Sequence, residues 1–113
     1  MNKIIGLIAV LTMGVAAAAY VGPGGAKTAT LTAVEAAKAA DDTAVALEGR
    51  IIRKIDKDHY EFQDASGTIR IEVDQKNWPA GDIGPDTRVR LTGEVDQGWR
   101  GVDVDVDVVE ILR

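Results

Sequence analysis

One histidine and one short turn contain the residues that could perform nucleophilic or acid–base chemistry. His59 is the only histidine of the chain, and Asp64 and Ser66 follow it closely. These three side chains are the components of a hydrolytic triad, but they lack the nucleophile elbow of such enzymes. Asp64-Ala65-Ser66-Gly67 is instead typical of a tight turn, with Asp first and Gly last. His59 is therefore interpreted as a solvated cross-strand partner of Glu72, and no catalytic residue is assigned.

Three aspartates near the end of the chain could bind a cation. Asp103, Asp105 and Asp107 alternate with valines, so in a strand they would share one face at intervals of about 6.8 Å. Calcium binds oxygens at about 2.3–2.6 Å, and carboxylates so far apart do not readily converge on one ion. The pattern favours a solvated face that discourages edge pairing, and no metal ligand is assigned. Weak divalent-cation binding stays open as an alternative function.

The two tryptophans have different expected roles. Trp99 and Arg100 lie in a glycine-flanked turn, where an indole beside a guanidinium could stack on a sugar ring or grip a protein partner. Loop packing is the competing interpretation of Trp99. Trp78 precedes a proline and is expected to cover one end of the folded domain.

Composition limits the chain to one small acidic domain. It has 113 residues, of which 13 are basic and 18 acidic, and its net charge is −5. A chain of this length holds one domain, and its negative charge repels phosphate backbones, so nucleic acid is not an expected partner. There is no cysteine, which excludes disulfides, thiolate nucleophiles and Cys-ligated zinc.

The first 19 residues are typical of a secretory signal peptide. Lys3 supplies the positive start, an apolar stretch follows from Ile4 to Val15, and small alanines precede a cleavage position near Ala19. An uncleaved anchor is the alternative, but the strongly apolar part is short for a spanning helix. We expect export to the periplasm, with no stable membrane insertion after cleavage. Residues 20–31, rich in glycine, are expected to be a flexible lead.

The pattern after residue 31 predicts a short helix followed by strands. Thr32 and Glu35 match a capping box and predict a helix over residues 33–40. Gly49 precedes a slip in the alternation of the first strand, which predicts a bulge. The tight turn joins the second and third strands and fixes four cross-strand pairs. These pairs are Phe62 with Ile69, Tyr60 with Ile71, Glu61 with Arg70, and His59 with Glu72.

The last two strands are predicted to form a second hairpin. A turn over residues 97–101 pairs Val95 with Val102, which sets Leu91 opposite Val106, Arg90 opposite Asp107 and Glu94 opposite Asp103. A second bulge is expected near Val108-Val109, where the apolar alternation shifts. Five alternating strands with two bends predict a small curved sheet that closes on itself.

The order of several short motifs resembles the bacterial OB-fold (BOF) family. The resemblance covers roughly residues 30–113, and members of the YgiW/YdeI type are described as periplasmic stress-tolerance proteins. Its motifs are Asp41-Asp42, Leu47-Glu48-Gly49, Asp64-Ala65-Ser66-Gly67 and Gly93-Glu94-Val95-Asp96. The resemblance implies a mainly β fold: a small five-stranded OB-fold barrel with a short N-terminal helix, over residues 32–113. It also implies a binding role without catalysis.

OB barrels bind nucleic acids with aromatic and basic side chains on the outer surface of the second and third strands. That surface lacks aromatic residues here, and its charges pair with each other, so it suits a polar ligand or water. Ligand binding is assigned to Arg70, Trp99, Arg100, Glu61 and Glu72. The sequence therefore predicts a monomeric, non-enzymatic binding module without a cofactor, which recognises an envelope protein or a small glycan in stress tolerance.

Overall fold

The computed structural model describes residues 28–113, which form a closed β-barrel with one short helix. The predicted signal peptide and most of the predicted lead lie outside these residues. No helix within the described part is long and apolar enough to cross a membrane. The strands are β1 (Ala29–Thr30), β2 (Ala44–Lys54), β3 (His59–Asp64), β4 (Gly67–Val73), β5 (Val89–Gly98) and β6 (Gly101–Ile111), with helix α1 at Ala33–Ala37 and a 3₁₀ turn at Gln75–Asn77.

The sheet closes because its first long strand pairs on both sides. The strand order is β1-β2-β3-β4-β6-β5, and β5 pairs back onto β2. The β4–β6 pair is parallel, whereas the other pairs within the ring are antiparallel. The predicted five-stranded barrel is thus confirmed. The end of the predicted lead adds β1, which runs parallel to β2.

The first hairpin has the predicted register. Phe62 faces Ile69, Tyr60 faces Ile71, and the outward pairs Glu61–Arg70 and His59–Glu72 also form. The β2 bulge lies between Ile51 and Arg53, close to the predicted slip. Gly49 is needed here because a Cβ would meet the Gln63 carbonyl oxygen and lie 2.7 Å from the Phe62 ring.

The predicted register of the second hairpin is wrong, by two residues between the turn and Gly93 and by three beyond it. Val95 pairs with Val104, not Val102, and Leu91 with Val109. The remaining two predicted pairs are replaced by Arg90–Glu110 and Glu94–Asp105. The cause is the turn: Gly98 pairs with Gly101, whose φ is 126°, so only two residues separate the strands. Glycine adopts this φ without steric cost, which allows the shorter turn.

The second bulge lies one residue before the predicted position. Thr92 pairs with Val108 and Gly93 with Val106, so Asp107 is the extra residue. The alternation of β6 therefore reverses after the bulge, and Val108 is 48% exposed while Val109 is 5% exposed.

The core consists mainly of aliphatic side chains around Phe62, and the helix adds to it. Ala33 and Ala36 are fully buried in this core, and Thr32 and Glu35 form the predicted capping box. The helix ends at Ala37, earlier than predicted. Trp78 packs on the core with its ring edge-on to Tyr60, the ring centroids 5.1 Å apart, in agreement with its expected covering role.

Candidate functional site

The outer surface of β3, β4 and β6 forms a polar strip, which we define by His59, Arg70, Glu72, Asp103 and Asp105. The β3–β4 register places His59 beside Glu72, and the parallel β4–β6 register places Arg70 beside Asp103 and Glu72 beside Asp105. Side chains on one face of adjacent strands lie within contact distance. Residues distant in the sequence therefore meet on this strip.

Arg70 binds a partner that the sequence did not indicate. Its Nε donates a hydrogen bond of 2.5 Å to Asp103 Oδ1, and this bond raises the pKa of Arg70. Glu61, which lies opposite Arg70 in the register, instead accepts a 2.7 Å bond from Arg53. Asp103 is the one charged residue among the buried residues of the described chain, and a buried carboxylate requires such a partner.

His59 is held at the edge of the strip by a further carboxylate. Its Nδ1 lies 2.8 Å from Asp56 Oδ1, while its Nε2 lies 3.9 Å from Glu72 Oε1 and 3.7 Å from Asp103 Oδ2. Glu72, the predicted partner, is therefore one of three acidic neighbours of His59. Asp56 also accepts the backbone amide of His59, so the ring position is fixed from two directions.

Negative charge accumulates along the strip. Burial raises the pKa of Glu72, and repulsion by Asp105 raises it further. Burial also raises the pKa of Asp105, with repulsion from Asp107, Asp96 and Asp103 adding to it. Repulsion between like charges disfavours their ionised form. The ionised strip is thus a region of unfavourable charge density that a cation would relieve.

Removing one charge from the strip should stabilise the protein. We expect Asp105→Asn to raise the free energy of unfolding by about 0.5 kcal/mol in low salt, the scale of exposed charge interactions. Because salt screens such charges, the gain should shrink in 1 M NaCl. Urea unfolding at both salt concentrations measures it, with the exposed Asp82 changed to Asn as the control. A destabilised Asp105→Asn protein would contradict the expectation.

The β5–β6 hairpin ends in an exposed aromatic tip formed by Trp99 and Arg100. Trp99 is 90% exposed, and the Arg100 guanidinium lies 4.8 Å from the centre of its ring. Of the five predicted ligand residues, Arg70 and Glu72 lie in the polar strip, Glu61 is bound by Arg53, and Trp99 and Arg100 form this tip. The predicted ligand residues therefore lie on two separate surfaces and do not form one site.

Asp64 and Ser66 anchor the helix. Asp64 Oδ2 accepts the Ala33 amide at 2.8 Å, and Ser66 Oγ accepts the Val34 amide at 3.1 Å. The Ser66 hydroxyl donates to Asp64 Oδ1. The sequence assigned both residues to the turn alone, and their second role was missed because it depends on how α1 packs against the barrel.

A cleft of about 660 Å³ lies beside this anchor, and no local sequence pattern indicates it. Its lining includes Glu48, Arg50, Gln63 and Arg88. Arg90 donates to Glu48 at 2.5 Å, and Arg50 donates to Gln63 at 3.3 Å. Glu48, Arg50 and Gln63 therefore already have side-chain partners, so the aromatic tip offers the less occupied surface.

Comparison with known proteins places this geometry in one family. The family model described as Bacterial OB fold (BOF) protein matches residues 14–111. The chain is 46% identical over 110 residues to the calcium-regulated OB-fold protein CarO of Pseudomonas aeruginosa, covering 96% of this chain and 90% of CarO. It is also 45% identical over 78 residues to protein YgiW of Escherichia coli, covering 68% of this chain and 60% of YgiW.

The solved structures agree with these relatives. The structure of YgiW from E. coli has a TM-score of 0.72 at 36% identity and covers 78% of this chain and 99% of that one. The Schizosaccharomyces pombe Stn1–Ten1 complex, at 17% identity and a TM-score of 0.62 over 77% of this chain and 79% of that one, shares the fold alone. The barrel is an OB fold, and the chain belongs to the bacterial OB-fold (BOF) family.

Proposed function

We propose that this protein is a non-enzymatic binding module of the bacterial periplasm, which recognises an envelope protein or a small glycan through the aromatic tip during envelope stress. The observation that carries the proposal is the exposure of Trp99, 90% of whose surface is open to solvent. A large aromatic side chain in water is a typical anchor for a partner. The residues 1–19 would direct export and be removed near Ala19.

The position of the tip supports this role. OB folds use the loop between the last two strands, among others, to bind ligands. The hairpin beneath the tip is paired without interruption from Gly93–Val106 to Gly98–Gly101, so the tip stands on a rigid base. Arg100 stacked on the indole adds a cation that can bind a carboxylate or a sugar hydroxyl.

The polar strip argues against the usual OB-fold partner. It occupies the surface on which OB folds stack bases, but its carboxylates outnumber its single guanidinium. Single-stranded nucleic acid binding requires a positively charged groove and aromatic platforms. We therefore propose a protein or glycan partner, and we expect a monomer.

Replacing Trp99 by alanine tests the proposal. We expect Trp99→Ala to lose partner capture by crosslinking in intact periplasm, and to leave thermal unfolding within about 0.5 kcal/mol of the wild type because the side chain is exposed. Val108→Ala is the control, since Val108 is an exposed apolar residue of β6 that lies outside the tip. Because Trp78 also fluoresces, a fluorescence change that soluble cell-wall fragments cause in the wild type but not in Trp99→Ala would identify a glycan rather than a protein. Equal capture by wild type and Trp99→Ala would refute the assignment.

A further inference from the structure

We propose that His59, Glu72 and Asp103 bind a single divalent transition-metal ion of the zinc class. Their ligand atoms all lie within 4.8 Å of one another. They come from three adjacent strands of the barrel, β3, β4 and β6. This site departs from the sequence-based expectation of no metal ligand, and it does not depend on the aromatic tip.

The tautomer of His59 is determined by Asp56, which lies outside the three ligands. An ionised carboxylate only accepts hydrogen bonds, so the 2.8 Å contact between His59 Nδ1 and Asp56 Oδ1 places the proton on Nδ1. Nε2 then presents its lone pair towards Glu72 and Asp103. A histidine ligand oriented by a carboxylate on its other nitrogen is the usual arrangement at protein zinc sites.

Asp103 is oriented in a similar way. Arg70 binds its Oδ1, which leaves Oδ2 for the side facing His59 at 3.7 Å. The Asp103 side chain is only 12% exposed, whereas that of Glu72 is 41% exposed. One ligand is therefore fixed by packing and one is free to adjust.

The distances suit a small metal ion after a modest movement. Zinc binds imidazole nitrogen and carboxylate oxygen at about 2.0–2.2 Å, which sets neighbouring tetrahedral ligands about 3.4 Å apart. The present separations from His59 Nε2 are 3.7 Å to Asp103 and 3.9 Å to Glu72, and rotation of the exposed Glu72 side chain can reduce the longer one.

The donor set selects the class of metal. Imidazole with two carboxylates suits zinc and its neighbours in the first transition series, whereas calcium requires six or more oxygens. Three protein ligands leave a fourth position for water or for a group from a partner. The surrounding charge also favours a cation, since Asp56 and Asp105 add to the two ligand carboxylates while Arg70 is the opposing charge within the strip.

Zinc titration of the purified protein tests the site. The protein is purified with an affinity tag that contains no histidine, and a chelator removes bound metal before the titration. We expect calorimetry to give one ion per chain, and His59→Gln to weaken binding by more than about 10-fold. Asp105→Asn is the control because it removes a nearby charge without removing a ligand, and it should weaken binding much less. Two results would refute the site and indicate diffuse attraction of zinc to acidic residues instead. One is a loss of affinity in Asp105→Asn as large as that in His59→Gln, and the other is equal zinc affinity of His59→Gln and the wild type.

Nuclear magnetic resonance of the wild type provides a readout that does not depend on the folding of a variant. The protein has one histidine, so its imidazole nitrogens are assigned without ambiguity. We expect zinc to shift the Nε2 resonance while Nδ1 keeps its proton. No shift, or a shift that shows metal on Nδ1, would overturn the proposed ligand set.

Discussion

Replacing Gly93 by alanine is expected to destabilise the barrel by about 3 kcal/mol, at the upper end of overpacking substitutions. A Cβ at this position would collide with the Asp105 carbonyl oxygen and lie 2.9 Å from the Val106 Cα. Both are backbone atoms of β6, in the segment where Asp107 bulges out of register. Relief would require the two strands to separate, because no flexible side chain can move aside.

Thermal unfolding measures this effect. For a domain of this size, about 3 kcal/mol corresponds to a fall in Tm of more than about 10 °C. Gly98→Ala is the matched control on the same strand, since its Cβ would meet only the Gly101 carbonyl oxygen, at an ordinary 3.6 Å. A Gly93→Ala protein that melts together with Gly98→Ala would show that the bulge tolerates a side chain.

The parts of the fold that local patterns determine could be predicted from the sequence. Asp64-Ala65-Ser66-Gly67 permits one turn length, and the register of β3 and β4 follows from it. The second hairpin was mispredicted because residues 97–101 are compatible with a long or a short turn, and both place valines inward. The choice depends on how β6 fits against the rest of the barrel.

The candidate sites also divide into features that a local pattern predicts and features that depend on the packing of distant strands. Trp99 at the hairpin tip was visible as an aromatic residue in a turn. The contacts of Asp103 with Arg70 and His59 were not, because they result from the parallel pairing of β4 and β6. The register of the β4–β6 pair joins residues about thirty positions apart in the sequence, and no local spacing of residues predicts such a pairing.

The anchoring of α1 also depends on packing that local patterns do not specify. A helix of five residues has too few hydrogen bonds to persist alone, and its first amides need external partners. Three side chains satisfy them: Asp64 accepts from Ala33, Ser66 from Val34, and Thr32 from Glu35. Two of these acceptors belong to the β3–β4 turn, so the turn and the helix stabilise each other.

Removing the Asp64 carboxylate should therefore release the helix from the barrel end. We expect Asp64→Ala to cost about 2–3 kcal/mol, the range for hydrogen bonds to a charged acceptor together with the amide left unpaired. The loss of Ala33 and Ala36 from the core would contribute to it. Urea unfolding measures the change, and Asp82→Asn in an exposed loop is the control. An unchanged midpoint would mean that α1 does not depend on this carboxylate.

The same carboxylate should make stability depend on pH. Burial alone would raise the pKa of Asp64, but hydrogen bonds from Ser66, Ala33 and Gly67 outweigh it and lower the pKa below the ordinary 3.8. A carboxyl with a lower pKa in the folded state stabilises that state above its unfolded pKa, and this contribution disappears as pH falls through the folded value. The stability difference between wild type and Asp64→Asn should therefore be full at pH 7 and shrink below about pH 4. Denaturation at pH 7 and pH 3 compares the two proteins, and a difference of the same size at both would show that the ionised carboxylate does not hold the helix.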